Sequence, residues 1–345
     1  MKILVTGHHG YIGSVTAPAL ADAGHEVVGL DTFFYRGCDF GAERTVGSTL
    51  ELDVRDVTAD ALGGFDAVVH LAALSNDPLG DLRNEWTYAI NLDGTVALAR
   101  AAKEAGVGRF VFASSCSMYG ASGGDQLLDE TAPLNPLTPY AESKVRAEGA
   151  LWDLADDTFS PISMRNSTAY GVSPRLRLDV VLNNLAAWAH TTGRIRLLSD
   201  GSAWRPLVHV KDIARFTLAL LEAPRDVVHA QAFNVGSPAQ NVRIRDLANT
   251  LQRLLGCEVE LSADATPDPR SYRVDFSKLE SALPGHHCEY TPDRGAKELV
   301  EAYATEGLTR EMFLDVGRYT RLAQLKRLLD GQRLDEDLRW RRSAA

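Results

Sequence analysis

Tyr140-Ala-Glu-Ser-Lys144 puts a phenol and an ammonium one helical turn apart on one face, where the cation lowers the phenol's pKa toward neutrality and makes a usable general base. Ser114-Ser115-Cys116-Ser117-Met118-Tyr119-Gly120 supplies hydroxyls where a predicted strand ends, and a hydroxyl there bonds the substrate oxygen that Tyr140 deprotonates. A lone Tyr-x-x-x-Lys occurs by chance on many solvated helix faces, so its weight comes from the motifs around it. Gly7-His8-His9-Gly10-Tyr11-Ile12-Gly13 follows the first predicted strand and opens a helix, the context of a dinucleotide-binding loop. Gly7 allows the tight turn, Gly10 the approach of backbone to pyrophosphate, and Gly13 the packing of helix on strand. Asp31 ends the second predicted strand, where a carboxylate accepts hydrogen bonds from ribose hydroxyls and repels a 2′-phosphate. NAD is therefore favoured over NADP, with Arg36 as the residue that keeps NADP an alternative.

These groups need a scaffold, and the first half supplies one. Short apolar runs at Lys2–Thr6, Glu26–Leu30, Leu50–Asp53, Ala67–Leu71 and Arg109–Ser114 alternate with helical stretches, a pattern that predicts a parallel sheet covered on both faces. Helices are expected over about Glu85–Ala105, closed by Gly106, and Tyr140–Leu154. After residue 160 the alternation loosens, and this half reads as an annex closing over a site. Leu322, Leu325, Leu328 and Leu329 predict a final amphipathic helix before Gly331. The expected fold is an α/β Rossmann sheet (1–165, with later segments returning to it), a smaller α/β substrate region (166–305) and a helical tail (306–345).

Composition narrows the function classes. With 45% apolar and 24% charged residues the chain is globular, and 36 basic against 46 acidic residues give a net charge of −10, which argues against nucleic acid as a partner. No apolar run reaches the length of a membrane span and the N-terminal segment lacks a signal peptide's apolar stretch, so a cytoplasmic protein is expected. Cys38, Cys116, Cys257 and Cys288 are widely spaced, which suggests free thiols and no metal site.

Thr6–Gly13 resembles the loop of the extended short-chain dehydrogenase/reductases, whose sugar-nucleotide epimerase/dehydratase branch carries further matches in order: Asp53-Val54, His70-Leu71-Ala72-Ala73 and Asn91. The resemblance implies a Ser/Tyr/Lys triad of Ser115, Tyr140 and Lys144. It assigns the cofactor to Gly7, Gly10, Tyr11, Ile12, Gly13, Asp31, Asp53, Val54, Leu71, Ala72, Ala73 and Asn91, together with Tyr140 and Lys144. For a nucleoside-diphosphate sugar it implies Ser117, Thr168, Asn184, Leu185, Arg205, Arg270 and Tyr272, the last gating bulky N-acetyl groups. Dehydratases of this branch carry Asp-Glu where this chain has Cys116-Ser117, which argues against loss of water; Cys116 is expected to pack beside the sugar. The implied activity is NAD-dependent epimerisation at carbon 4 in a homodimer formed by the two long helices through Ala97, Leu98, Ala101, Leu151 and Leu154. A keto-sugar reductase and a catalytically silent NAD-binding regulator are the alternatives.

Overall fold

The computed structural model describes residues 1–75, 83–121, 126–266, 268 and 270–341. In chain order the elements that position the site are β1 (Lys2–Thr6), α1 (Gly13–Asp22), β2 (Glu26–Asp31), β3 (Ser48–Glu51), β4 (Ala67–His70), α2 (Gly94–Glu104), β5 (Arg109–Ser115), α3 (Pro139–Asp153), β6 (Ser160–Asn166), β7 (Thr168–Tyr170), β8 (Trp204–His209), β9 (Gln231–Val235), β10 (Asn241–Arg243) and α4 (Arg321–Asp330).

Seven strands form one parallel sheet in the order β9-β6-β5-β4-β1-β2-β3. All four residues of β4 are buried, as a mostly apolar run in a doubly covered sheet should be, and all seven of β6 are buried as well although Ser160, Ser163, Arg165 and Asn166 among them are polar. The pleat divides β1 between two cores, with Leu4 among Val68, Phe110 and Phe112 on one face and Ile3 and Val5 among Val69, Val111 and Ile162 on the other. The strand order reverses direction at β1, so a crevice opens beyond the carboxyl ends of β1 and its neighbours β2 and β4.

The second half is less separate than an annex. Strand β9 pairs with β6 inside the main sheet, while β7, β8 and β10 form a three-stranded sheet beside it. The tail returns to the first half: Leu325, Leu328, Leu334 and Leu338 lie in the same core as Leu4 and Phe110. The expected helix over Glu85–Ala105 is interrupted, with a short helix (Asn84–Thr87) passing through a π-helical turn (Tyr88–Asp93) into α2. Leu98, Ala101 and Leu151, expected at a dimer face, are buried in the chain's own core, and Leu154 packs half-buried against it. Of the five, Ala97 alone is exposed.

Candidate active site

The crevice holds a cavity of about 320 Å³ lined on one side by the glycine loop, on another by the ends of β2 and β4, and at its far end by Ser115, Ser117, Tyr140 and Lys144. The structure brings Gly7, Gly10, Tyr11, Ile12, Gly13, Asp31, Asp53, Val54, Leu71, Ala72, Ala73 and Thr168 to the lining of this one cavity.

The loop is tight for a steric reason. A Cβ on Gly13 would meet the Gly7 carbonyl oxygen at 2.1 Å, and one on Gly7, whose φ is +70°, would meet the Ala72 nitrogen at 2.7 Å. The α1 N-terminus therefore faces the cavity over bare backbone, with no acidic residue in its first turn to compete for an anion. Asp31 accepts from the backbone N–H groups of His9 at 3.0 Å and Phe33 at 2.7 Å, and its burial raises the carboxyl's pKa. Carboxylate oxygens have lone pairs beyond these two bonds, available to ribose hydroxyls. The loop and Asp31 thus fit a dinucleotide. Arg36 turns to Glu51 at 2.8 Å and stacks on Phe33. Asp53 is held by Arg55 and, from the tail, by Arg339 at 3.4 Å, which together keep its pKa below the usual carboxylate value against the opposing effect of burial.

At the chemical end, Thr138 caps α3 by accepting from the Ala141 N–H, and Pro139 occupies the first turn, so Tyr140 starts the helix and Lys144 lies one turn on. Lys144 Nζ is 5.8 Å from the Tyr140 ring centre and donates to the Ala113 carbonyl at 2.7 Å. Helix α3 is tied to β6 by the buried pair Glu148 and Arg165, an anchor that sequence reasoning missed. Ser114 Oγ, Ser117 Oγ and Asn166 Oδ1 are buried atoms of cavity-lining residues without a hydrogen-bond partner in the protein, so the far end is polar and unsatisfied, as a site for a hydroxyl-rich ligand should be.

Burial pulls the Lys144 ammonium down to about 7. A lysine whose pKa falls on folding makes the nucleotide-free chain less stable below the folded value, and that penalty fades as pH rises toward its unfolded value. Lys144→Met should therefore be more stable than the parent near pH 7, the gap narrowing by about 1.4 kcal/mol per pH unit toward pH 10. Parallel unfolding free energies across that range would contradict it.

Six expected contacts do not reach the cavity. Asn91 is buried in the π-helical turn, where it accepts from the Leu74 N–H at 2.8 Å and donates to the Leu74 carbonyl at 2.9 Å, bracing the cavity wall from behind. Asn184 donates to the Leu178 carbonyl, and Leu185 belongs to the second-half core. Arg205 and Arg270 both bind Asp268, at 2.8 and 3.2 Å. Tyr272 is buried with Cys116, Tyr119 and Phe276 and does not line the cavity. Cys116 donates to the Arg165 carbonyl at 3.0 Å, with its thiol pushed up to about 12 by burial; it packs behind the cavity and does not line it. Cys116→Ala should leave turnover within about twofold and cost about 1–2 kcal/mol of stability by denaturant titration. Two buried arginines that no local motif signals, Arg177 and Arg321, do line the cavity.

The pattern of the NAD dependent epimerase/dehydratase family matches residues 3–236. A UDP-glucose 4-epimerase of Bacillus subtilis (strain 168) is 28% identical over 290 residues, covering 75% of this chain and 84% of that protein. The solved structure of TunA, described as an NAD dependent NDP-hexosamine 5,6-dehydratase, superposes with a TM-score of 0.79 at 25% identity, covering 88% of this chain and 98% of that one. MoeE5 in complex with UDP-glucuronic acid and NAD gives 0.76 at 27% identity, over 88% and 99%.

Proposed function

Because the chain belongs to the NAD dependent epimerase/dehydratase family, we propose that it inverts carbon 4 of a nucleoside-diphosphate sugar through a transient 4-keto sugar. The observation that carries this reading is the single cavity that joins the glycine loop to Ser115, Tyr140 and Lys144. NAD, when bound, would supply a reversible hydride acceptor for the carbon-4 hydrogen. Tyr140, as phenolate, takes the proton of the 4-hydroxyl, and Ser115 Oγ bonds that oxygen so that the forming carbonyl is held in place. Lys144 favours the phenolate by its charge and holds the nicotinamide ribose. The keto sugar turns about its diphosphate tether, its other face takes the hydride, and Tyr140 gives the proton back; electrons and protons balance with no net oxidation.

Loss of water would need a proton donor and acceptor beside carbons 5 and 6. Among the described residues the only carboxylates lining the cavity are Asp31 and Asp53, each at the adenosine end, while Cys116 faces away and Ser117 offers a hydroxyl alone. Epimerisation is therefore favoured over dehydration. The same reading assigns the cofactor mainly to residues 1–165 and the sugar to residues of 166–305 together with Ser117 from the first part, with Ser117, Asn166 and Thr168 as the sugar's polar contacts. It extends to a cytoplasmic homodimer meeting across the outer faces of α2 and α3; no helix among the described residues is long and apolar enough to cross a membrane. Proton NMR of products from a panel of UDP-, dTDP-, GDP- and CDP-sugars tests the reading: 4-epimers without added NADH or NADPH support it, and products formed only with consumption of a reduced cofactor assign the chain to the keto-reductases.

A further inference from the structure

Arg321 is 4% exposed, lines the cavity, and begins α4 in the C-terminal tail. A buried guanidinium without a counter-charge is expensive, because its five donors and its charge both leave water. Among the described residues Arg321 makes one hydrogen bond, to the Arg175 carbonyl at 2.8 Å, and lies 4.1 Å from the Tyr35 ring centre, with no carboxylate paired to it. Asp179, whose field reaches it, is already bound by Arg177 at 2.8 Å. The lining thus contains a cation with unused donors.

Its place along the cavity follows from its neighbours. Arg321 lies against the Tyr35 ring, at the adenosine end with Asp31, and shares the cavity lining with Tyr11 of the glycine loop. Arg177, the next cation in the lining, pairs with Asp179 and donates to Ser75 Oγ at 2.9 Å. The stretch between ribose and nicotinamide, opposite the α1 N-terminus, is where a dinucleotide carries its two negative phosphates.

We propose that Arg321 binds the diphosphate of NAD, so that the C-terminal tail completes a cofactor site otherwise built by the first half of the chain. The tail is held for this task by the same segments that line the adenosine end. Trp340 Nε1 donates to the Thr32 carbonyl at 2.6 Å and Gln324 to the Phe34 carbonyl at 2.9 Å, both in the loop after β2. Trp86 Nε1 reaches the Glu336 carbonyl at 2.7 Å, and Arg339 pairs with Asp53 and Asp56. Once NAD is bound, its phosphates are held from one side by the glycine loop and from the other by the tail, which slows its escape and suits a cofactor that is regenerated in every cycle. The inference needs the NAD site alone and is independent of which sugar is turned over.

Calorimetric titration of nucleotide-free Arg321→Ala with NAD, ADP and adenosine tests it. Loss of charge-assisted bonds to phosphate should weaken NAD and ADP by about 10- to 100-fold and leave adenosine unchanged. Arg321→Lys should recover part of the loss, and Arg327→Ala, at an exposed position on the same helix, should bind all three ligands like the parent. Unchanged affinity for all three ligands would overturn the proposal. So would an equal loss for all three, which would make Arg321 a packing residue.

Discussion

Tyr140→Phe lowers turnover of the nucleotide sugar by about 10²–10⁴-fold while the sugar and NAD still bind, since general-base catalysis is worth about that factor and the phenol ring is retained. The substitution removes one oxygen from the cavity's chemical end and leaves α3, its Thr138 cap and the Lys144 bond to Ala113 in place. Turnover should fall with KM nearly unchanged, because the missing contact acts on the proton in flight more than on the resting sugar. Steady-state kinetics checks this, and a mutant keeping more than about a third of its activity would remove Tyr140 from the mechanism.

Gly13→Ala should abolish NAD retention. Its Cβ would lie 2.1 Å from the Gly7 carbonyl oxygen and 2.6 Å from the His8 Cα, and both are backbone atoms, so no side chain can move aside. Either the loop opens, destroying the phosphate cradle, or α1 lifts from β1, and overpacking of this kind costs about 1–3 kcal/mol or more. In Gly149→Ala, on α3, the new Cβ meets nothing within 4 Å, and a gain of about 0.5–1 kcal/mol is expected with NAD retained. Acid-released nucleotide per purified chain distinguishes the two; equal NAD content in both variants would mean that the Gly7–Gly13 contact does not shape the site.

How much of this was legible in the sequence depended on whether the signal was local. The glycine loop, Asp31, Ser115 and the Tyr140–Lys144 pair are all found in the cavity, because each is fixed by a short spacing at a strand end or on one helical turn. Asn91 misled because an amide that braces backbone has the same letter as one that touches a ligand. Arg205 misled because the partner that takes it, Asp268, lies 63 residues away, and Arg270 because that same carboxylate, two residues before it, binds both arginines and has no motif of its own. The leucines of α4 announced an apolar face, but nothing in their spacing said that it would lie on the core of the first strand. For the same reason Arg177 and Arg321 had no signature: only folding brings residue 321 beside residue 35.

The central claim, a redox-neutral inversion at carbon 4, is tested most directly by a nucleotide sugar carrying deuterium at that carbon. Incubated in ordinary water with the purified enzyme and its bound NAD, the 4-epimer should appear by NMR with the deuterium still on carbon 4, with no solvent hydrogen entering the ring and no net change in NADH absorbance. Deuterium lost from carbon 4, solvent hydrogen at carbon 5 or a product lighter by one water would contradict it.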